Sequence, residues 1–122
     1  MTFSNISFAD LQPKITEHYP DEDKRLKGKP LRTSAEYFAN AEFGVRSGTW
    51  KATEGAYRIA LAATKHEFFH ILTGRVTITG PAGENAKSYG PGDTGIIPPG
   101  FEGIFEIVEP ASKFWVVTEK LA

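Results

Sequence analysis

The residues of this chain that could do chemistry are few and lie close together. Glu67 follows His66 and precedes His70, whereas His18 lies far away and cysteine is absent. Residues of equal parity share one face of an extended strand, so Glu67 would point to one face and both nearby histidines to the other. These histidines are four residues apart, roughly 13 Å by strand rise, which is too far to share a small ion. A metal site built from these residues is therefore geometrically poor.

The composition is that of an ordinary globular protein. At 122 residues the chain is most simply one domain, and its formal net charge of −1 provides no field to recruit nucleic acid or an anionic membrane. No apolar run approaches the roughly 20 residues of a membrane-spanning helix, and the N-terminus lacks the pattern of a secretory signal. We therefore take a cytoplasmic location as the default expectation, since the lack of cysteine removes any redox clue.

Residues 1–43 are predicted to form an N-terminal arm. Dense charge, two prolines and a glycine fill HYPDEDKRLKGKPLR, so residues 1 to about 33 should be irregular or weakly ordered. The segment 34–43 could form a short helix that Ser34 caps and Gly44 ends. The arm is either solvated or laid over the body or a partner subunit. Five apolar residues could anchor it: Phe3, Ile6, Phe8, Leu11 and Ile15.

Residues 44–122 are predicted to form an all-β body. Most of the twelve glycines and eight prolines fall between short β-rich runs. A turn is expected at Ser47–Gly48 and a bulge at Gly74, while PAGEN should be a hairpin turn. The predicted strands lie around residue 45 and in 49–53, 56–64, 67–74, 75–80, 86–90, part of 90–103, 104–110 and 113–120. About eight short strands joined by such turns indicate a jelly-roll barrel or sandwich.

The spacing of these glycines and prolines, and of Glu67, resembles the sequence motifs of the cupins. Their first motif ends in a glutamate followed after six residues by a glycine, as Glu67 and Gly74 are here. Gly92, Pro98 and Gly100 match the frame of their second motif. Over residues 44 to about 118 the chain is similar to small cupins of the ureidoglycine aminohydrolase and ethanolamine-utilisation types. The resemblance implies a double-stranded β-helix, the cupin jelly-roll barrel, for residues 44–122.

The metal ligands that the resemblance would imply are missing from this sequence. The two histidines of the first motif fall at Leu61 and Ala63, or at residues 60 and 62 with a longer spacer. The histidine and asparagine of the second motif fall at Gly103 and Ile107. A transition metal needs about three or four suitable protein ligands, and Glu67 alone cannot hold one. We therefore expect neither a metal nor another cofactor.

The motif position of Glu67 implies that its carboxylate points into the barrel, where an unpaired charge is costly. Lys113 could pair with it, since the resembling family often has a lysine there. Arg58 is the other candidate: it faces outward if three residues separate the motif positions and inward if four do. Glu67 is then either a buried charge partner without function, or a general acid/base or ligand-binding carboxylate.

Small residues in place of imidazoles would leave room for a ligand near Glu67. Each of the surrounding residues could equally be ordinary core. The predicted pocket comprises Tyr57, Phe69, Gly103, Phe105, Lys113 and Trp115, with Glu67 as the catalytic candidate.

The favoured function is that of a metal-independent cupin that binds a small polar or carboxylated metabolite in its barrel. The alternatives are an enzyme acting on a small nitrogenous metabolite, as the ureidoglycine aminohydrolase resemblance implies, and an accessory cupin of the ethanolamine-utilisation type. Phe68 and Leu72 would make the outer face of the strand apolar, and such a face needs a cover. A homodimer through that sheet is expected.

Overall fold

The computed structural model describes residues 4–122, and antiparallel β-strands dominate it. Two short 3-10 helices, Phe8–Asp10 and Glu22–Lys24, lie near the N-terminus. The strands are β1 (Lys14–His18), β2 (Arg25–Lys27), β3 (Arg32–Asn40), β4 (Val45–Ala52), β5 (Gly55–Ala60), β6 (Lys65–Thr79), β7 (Lys87–Tyr89), β8 (Thr94–Ile97) and β9 (Glu102–Glu119). The predicted all-β jelly roll is therefore confirmed.

Two long strands, β6 and β9, organise the sheet. The order β1-β3-β4-β9-β5-β2 runs through β9, and β6 pairs with β7, β8 and β9. The first part of β9 pairs with β5 and the second part with β4, while β6 follows it along both parts. The sheet can therefore curl around one interior.

The bulge predicted at Gly74 is present. The register between β6 and β9 shifts on both sides of residue 74, where the backbone has a φ of 77°. A Cβ there would collide with the carbonyl oxygen of Pro110, so the bend requires glycine.

The helix predicted over residues 34–43 is wrong. Residues 32–40 form β3, which pairs with β1 on one side and β4 on the other, so Ser34 lies inside a strand. The turn predicted at Ser47–Gly48 is also wrong, because β4 runs unbroken through both residues. Gly48 is needed for packing instead: a Cβ there would collide with the carbonyl oxygen of Ala35, next to a register shift in β3. In both places, pairing with distant strands overrides local preference.

Alternation along the strands separates the core from the surface. Phe69 and Ile71 are fully buried, whereas Phe68 and Leu72 between and beside them are exposed, as their parity predicts. Val76, Phe105 and Ile107 complete the centre of the core. The inner face of β6 thus carries Glu67 into the barrel together with these apolar residues.

Part of the predicted arm packs on the sheet. The ring of Phe8 stacks on Tyr37, with 4.7 Å between centroids, and meets Phe114 edge-on. Ile6 and Ile15 are largely exposed, and Phe3 lies outside the described residues. No helix in the described part of the chain is long and apolar enough to cross a membrane.

Candidate functional site

A cavity of about 330 Å³ opens between the strands on the inner side of the curled sheet. Strands β3, β4, β5, β6 and β9 all contribute to its wall because their inward-facing residues lie in register. The lining residues are Arg32, Ser34, Arg46, Trp50, Tyr57, Ile59, Ala60, Leu61, Glu67, Ile97, Phe105, Lys113, Trp115 and Val117.

A buried ion pair lies in this wall. The Nζ of Lys113 donates a hydrogen bond of 2.7 Å to the Oε2 of Glu67, and Lys113 is only 5% exposed. Glu67 lies opposite Val117 and Lys113 opposite Ile71 across the β6–β9 ladder, so both side chains share the inner face. Of the two cations considered for Glu67, Lys113 is the one that meets it. Arg58 is exposed and does not line the cavity.

Aromatic rings surround the lysine ammonium group. Its Nζ lies 4.7 Å from the ring centroid of Trp50, 5.2 Å from that of Phe105 and 5.3 Å from that of Phe69. Such contacts favour a cation over the ring faces and offset part of the cost of removing it from water. Lys113 is therefore held by one carboxylate and three rings, which fixes its position.

Further hydrogen bonds and ring contacts order the rest of the wall. The indole Nε1 of Trp115 donates to the carbonyl oxygen of Thr49 at 2.9 Å. The ring of Phe105 lies within 6 Å of those of Trp50 and Tyr57. Burial raises the pKa of Tyr57, although the nearby Arg32 charge opposes this shift. The Tyr57 hydroxyl therefore stays protonated at neutral pH and can donate to a ligand.

Two arginines in the wall were missed by the sequence predictions. Arg32 lies on β3, with its guanidinium carbon 4.8 Å from the ring centroid of Tyr57. Arg46 lies on β4, also lines the cavity, and pairs with Glu36 at 3.3 Å. The signal that could have found Arg32 is the polar alternation of Arg32, Ser34 and Glu36, which is typical of a strand face. The helix assignment for residues 34–43 obscured this alternation.

Five of the seven predicted site residues line the cavity together: Tyr57, Glu67, Phe105, Lys113 and Trp115. Phe69 is not a wall residue but lies behind the wall, fully buried below Lys113. Gly103 does not line the cavity either. A Cβ there would collide with the carbonyl oxygen of Thr79. This glycine permits a close approach of two strands and does not open space for a ligand. The binding and catalytic roles of all seven residues stay predictions.

The residues present do not fit the metal site of cupins. Ala60 and Leu61 line the cavity but offer no donor atoms, and the carboxylate of Glu67 is already paired with Lys113. His70 bonds to Thr94 on the outer face, with 2.8 Å between Nδ1 and Oγ1, as expected of a hydrogen-bonded sheet residue. Across residues 4–122, no three histidine, aspartate or glutamate side chains lie where they could hold a metal ion together.

Comparison with known proteins places this geometry in a wider group. Residues 39–115 match the sequence profile of the EutQ-like cupin domain. No curated protein matches the chain in sequence.

Several solved structures share the fold. A protein of unknown function from Pseudomonas syringae pv. tomato has a TM-score of 0.72 at 24% identity, over 88% of this chain and 44% of its own. The EutQ protein of Clostridium difficile has a TM-score of 0.64 at 18% identity, over 81% and 79%. The ethanolamine utilisation protein Q of Salmonella typhimurium has a TM-score of 0.62 at 15% identity, over 92% and 99%. This chain thus spans less than half the length of the Pseudomonas protein.

Proposed function

Because this chain belongs to the family of EutQ-like cupin domains, we propose that it binds a small polar or carboxylated metabolite in its barrel cavity without the usual cupin metal. The observation that carries the proposal is the cavity itself. Its volume of about 330 Å³ lies at the small end of the range for ligand sites, and apolar walls surround a few convergent polar groups. The Glu67–Lys113 pair and the Tyr57 hydroxyl are among the polar groups that line the cavity and could orient a ligand.

The protein offers a direct optical test. Its only two tryptophans, Trp50 and Trp115, both line the cavity. A ligand that enters should therefore change the intrinsic tryptophan fluorescence and also raise the melting temperature, since binding to the native state stabilises it by about 2.7 kcal/mol at a hundredfold excess over Kd. We would screen ureides, amino acids and small carboxylates in both assays.

A matched pair of variants locates the binding. Ala60 and Ala62 are both exposed, but only Ala60 lines the cavity. Ala60→Leu should weaken every true cavity ligand, and Ala62→Leu should leave binding unchanged. A compound whose affinity is unchanged by Ala60→Leu binds outside the cavity. If no compound of the panel binds, the proposal is contradicted.

A catalytic role for Glu67 is the second candidate, favoured by the short hydrogen bond to Lys113 inside the cavity. A carboxylate held against an ammonium group in a partly dry site could accept or return a proton during a reaction on a nitrogenous metabolite. If so, Glu67→Gln should abolish turnover of a bound compound while its binding persists. Unchanged turnover in this variant would restrict Glu67 to a role in charge pairing.

The outer face of the same sheet supports the proposal of a homodimer. Phe68 lies opposite Ile96 in the β6–β8 ladder, and these residues are 46% and 62% exposed. Phe114, opposite His70 in the β6–β9 ladder, is also exposed although Phe8 contacts it. The arm therefore covers the patch only in part, and a second copy of this chain could bury the rest.

Sedimentation velocity across a wide range of protein concentrations tests the homodimer. Wild-type protein should sediment as a dimer, and Phe68→Glu should shift it towards monomer because a charge would enter the apolar contact. Val108→Glu, an exposed position on a different part of β9, is the matched control and should leave the dimer intact. Wild-type monomer at every concentration would contradict the dimer.

A further inference from the structure

The cavity is lined by more cationic side chains than carboxylates. Three cationic side chains and one carboxylate line it. Lys113 is paired with Glu67, and Arg46 is paired with Glu36 beside the cavity. Arg32 differs from both: no carboxylate oxygen of residues 4–122 lies within 4.0 Å of it. Its Nε is also buried without an acceptor in this part of the chain.

We infer that Arg32 is the residue that recognises the ligand, and that the ligand is a small monocarboxylate with an apolar body. The inference rests on the proposed function, namely binding in this cavity, and narrows its ligand class. A buried donor without an acceptor is costly, so a carboxylate arriving from the cavity would meet unused hydrogen-bonding capacity. A guanidinium group and a carboxylate match geometrically, because two parallel N–H donors can reach two oxygens.

The surroundings of Arg32 suit this role. Its guanidinium lies over the Tyr57 ring, which holds a flat cation in a defined orientation. Ser34 lies two residues along β3 and lines the same cavity, so its hydroxyl can supply a further hydrogen bond. Arg32, Tyr57 and Ser34 all line the cavity and can therefore contribute to binding one ligand there.

The remaining wall indicates the body of the ligand. Apart from the groups already named, the lining is aromatic or aliphatic, including Trp50, Ile59, Leu61, Ile97 and Phe105. Burial of apolar ligand area against such a surface is favourable by about 25 cal/mol per Å². The same surface offers few hydrogen-bond partners to further polar groups of a ligand. A ligand with one polar end and a compact hydrocarbon body fits both sets of lining residues.

The charge count limits the ligand to a single negative group. Among residues 4–122, the Arg32 guanidinium has no carboxylate partner, whereas Lys113 and Arg46 already have theirs. A second negative charge would meet the carboxylates of Glu67 or Glu36 without a new cation to balance it. A ligand ammonium group would instead be repelled by Arg32 and Lys113.

Three compounds of equal shape test the inference: cyclohexanecarboxylate, cyclohexanecarboxamide and cyclohexylmethylammonium. All are transparent where tryptophan absorbs, so the fluorescence of Trp50 and Trp115 can report binding. The carboxylate should bind at least about tenfold more tightly than the amide, as a charge-assisted hydrogen bond implies. The ammonium compound should bind most weakly.

Variants of Arg32 complete the test. Arg32→Gln should remove the preference for the carboxylate over the amide, and Arg32→Lys should restore part of it by returning the charge. Arg58→Gln is the matched control, because Arg58 is exposed and points away from the cavity. Retained binding of the amide in Arg32→Gln would show that the variant is folded and its cavity intact. If Arg32→Gln does not fold, the comparison between wild type and Arg32→Lys carries the test.

The outcomes separate the inference from the proposed function. If the amide binds wild-type protein as tightly as the carboxylate, or if Arg32→Gln keeps the preference, the inference fails while cavity binding stands. If neither these three compounds nor the ureide, amino acid and carboxylate panel bind at all, the proposed function fails and the inference fails with it.

Discussion

Two ion pairs on opposite faces of the same sheet show how strongly burial affects the contribution of an ion pair to stability. Lys113 and Glu67 meet at 2.7 Å on the inner face, with side chains 7% and 19% exposed. Lys27 and Glu106 meet at 3.4 Å on the outer face, with side chains 73% and 35% exposed. Water screens the outer pair and can replace either partner, whereas the inner pair is largely shielded from water and lies among aromatic rings. The inner pair should therefore be costly to break, although similar groups form both.

The largest expected effect is the loss of one inner partner. Lys113→Met leaves the Glu67 carboxylate unpaired in a largely apolar wall, and we expect a loss of about 3–5 kcal/mol in the free energy of unfolding. Urea denaturation measures it. The double variant Lys113→Met/Glu67→Gln should recover much of the loss because no charge is left unpaired. A single variant as stable as wild type would show that water reaches this pair.

Apolar residues should follow the same division between the faces. Ile107 is 1% exposed and Val108 is 41% exposed, although they are neighbours on β9. Ile107→Ala should lower the free energy of unfolding by about 2–5 kcal/mol because it leaves a cavity in the core. Val108→Ala is the control and should cost less than about 1 kcal/mol. Equal losses in urea denaturation would contradict the assignment of the two faces.

The raised pKa of Tyr57 predicts a pH dependence of stability. Burial favours the neutral phenol in the folded state, so the unfolded chain releases this proton first, near the ordinary pKa of 10.0. The stabilising contribution is complete below about pH 10 and is lost as the pH rises towards the folded pKa. Wild-type protein should therefore lose stability above about pH 10 more steeply than Tyr57→Phe. Parallel pH profiles of the melting temperature would contradict this.

The smallest expected effect belongs to the outer ion pair. Lys27→Met removes a cation that water surrounds, so the free energy of unfolding should change by only about 0–1 kcal/mol. The same urea titration used for Lys113→Met gives the comparison. If Lys27→Met lowered the free energy of unfolding as much as Lys113→Met, burial would not control the contribution of these ion pairs to stability.

The Glu67–Lys113 pair could be predicted from the sequence because both residues lie in strands whose apolar residues follow a clear pattern. The resemblance of Glu67 and Gly74 to the first cupin motif implies that the Glu67 carboxylate points inward, and the same resemblance offers Lys113 as its partner. The alternation of β6 then places Phe69 and Ile71 on the same face as Glu67. The aromatic residues Phe105 and Trp115 follow the same alternation. Tyr57 lies inside and Arg58 outside, a choice that depended on one residue of spacing.

The contribution of Arg32 to the cavity could not be predicted from the sequence in this way. Residues 32–40 form a strand because β1 and β4 supply hydrogen-bond partners on both sides, and those partners are distant in the chain. Local sequence there is compatible with a helix, so its own preferences do not decide the outcome. Arg32 enters the cavity only because that strand forms.

Local sequence was enough to predict the all-β class, the bulge at Gly74 and the hairpin turn at PAGEN, since strand periodicity and glycine conformation act within a few residues. The inner face of Glu67 followed from its position in the cupin motif. Tertiary structure alone decided that β3 joins the sheet, that Arg32 lies over Tyr57 and that Gly103 closes space between strands. The physical reason is that hydrogen bonding between strands and the burial of charge depend on neighbours that the chain brings together only when it folds.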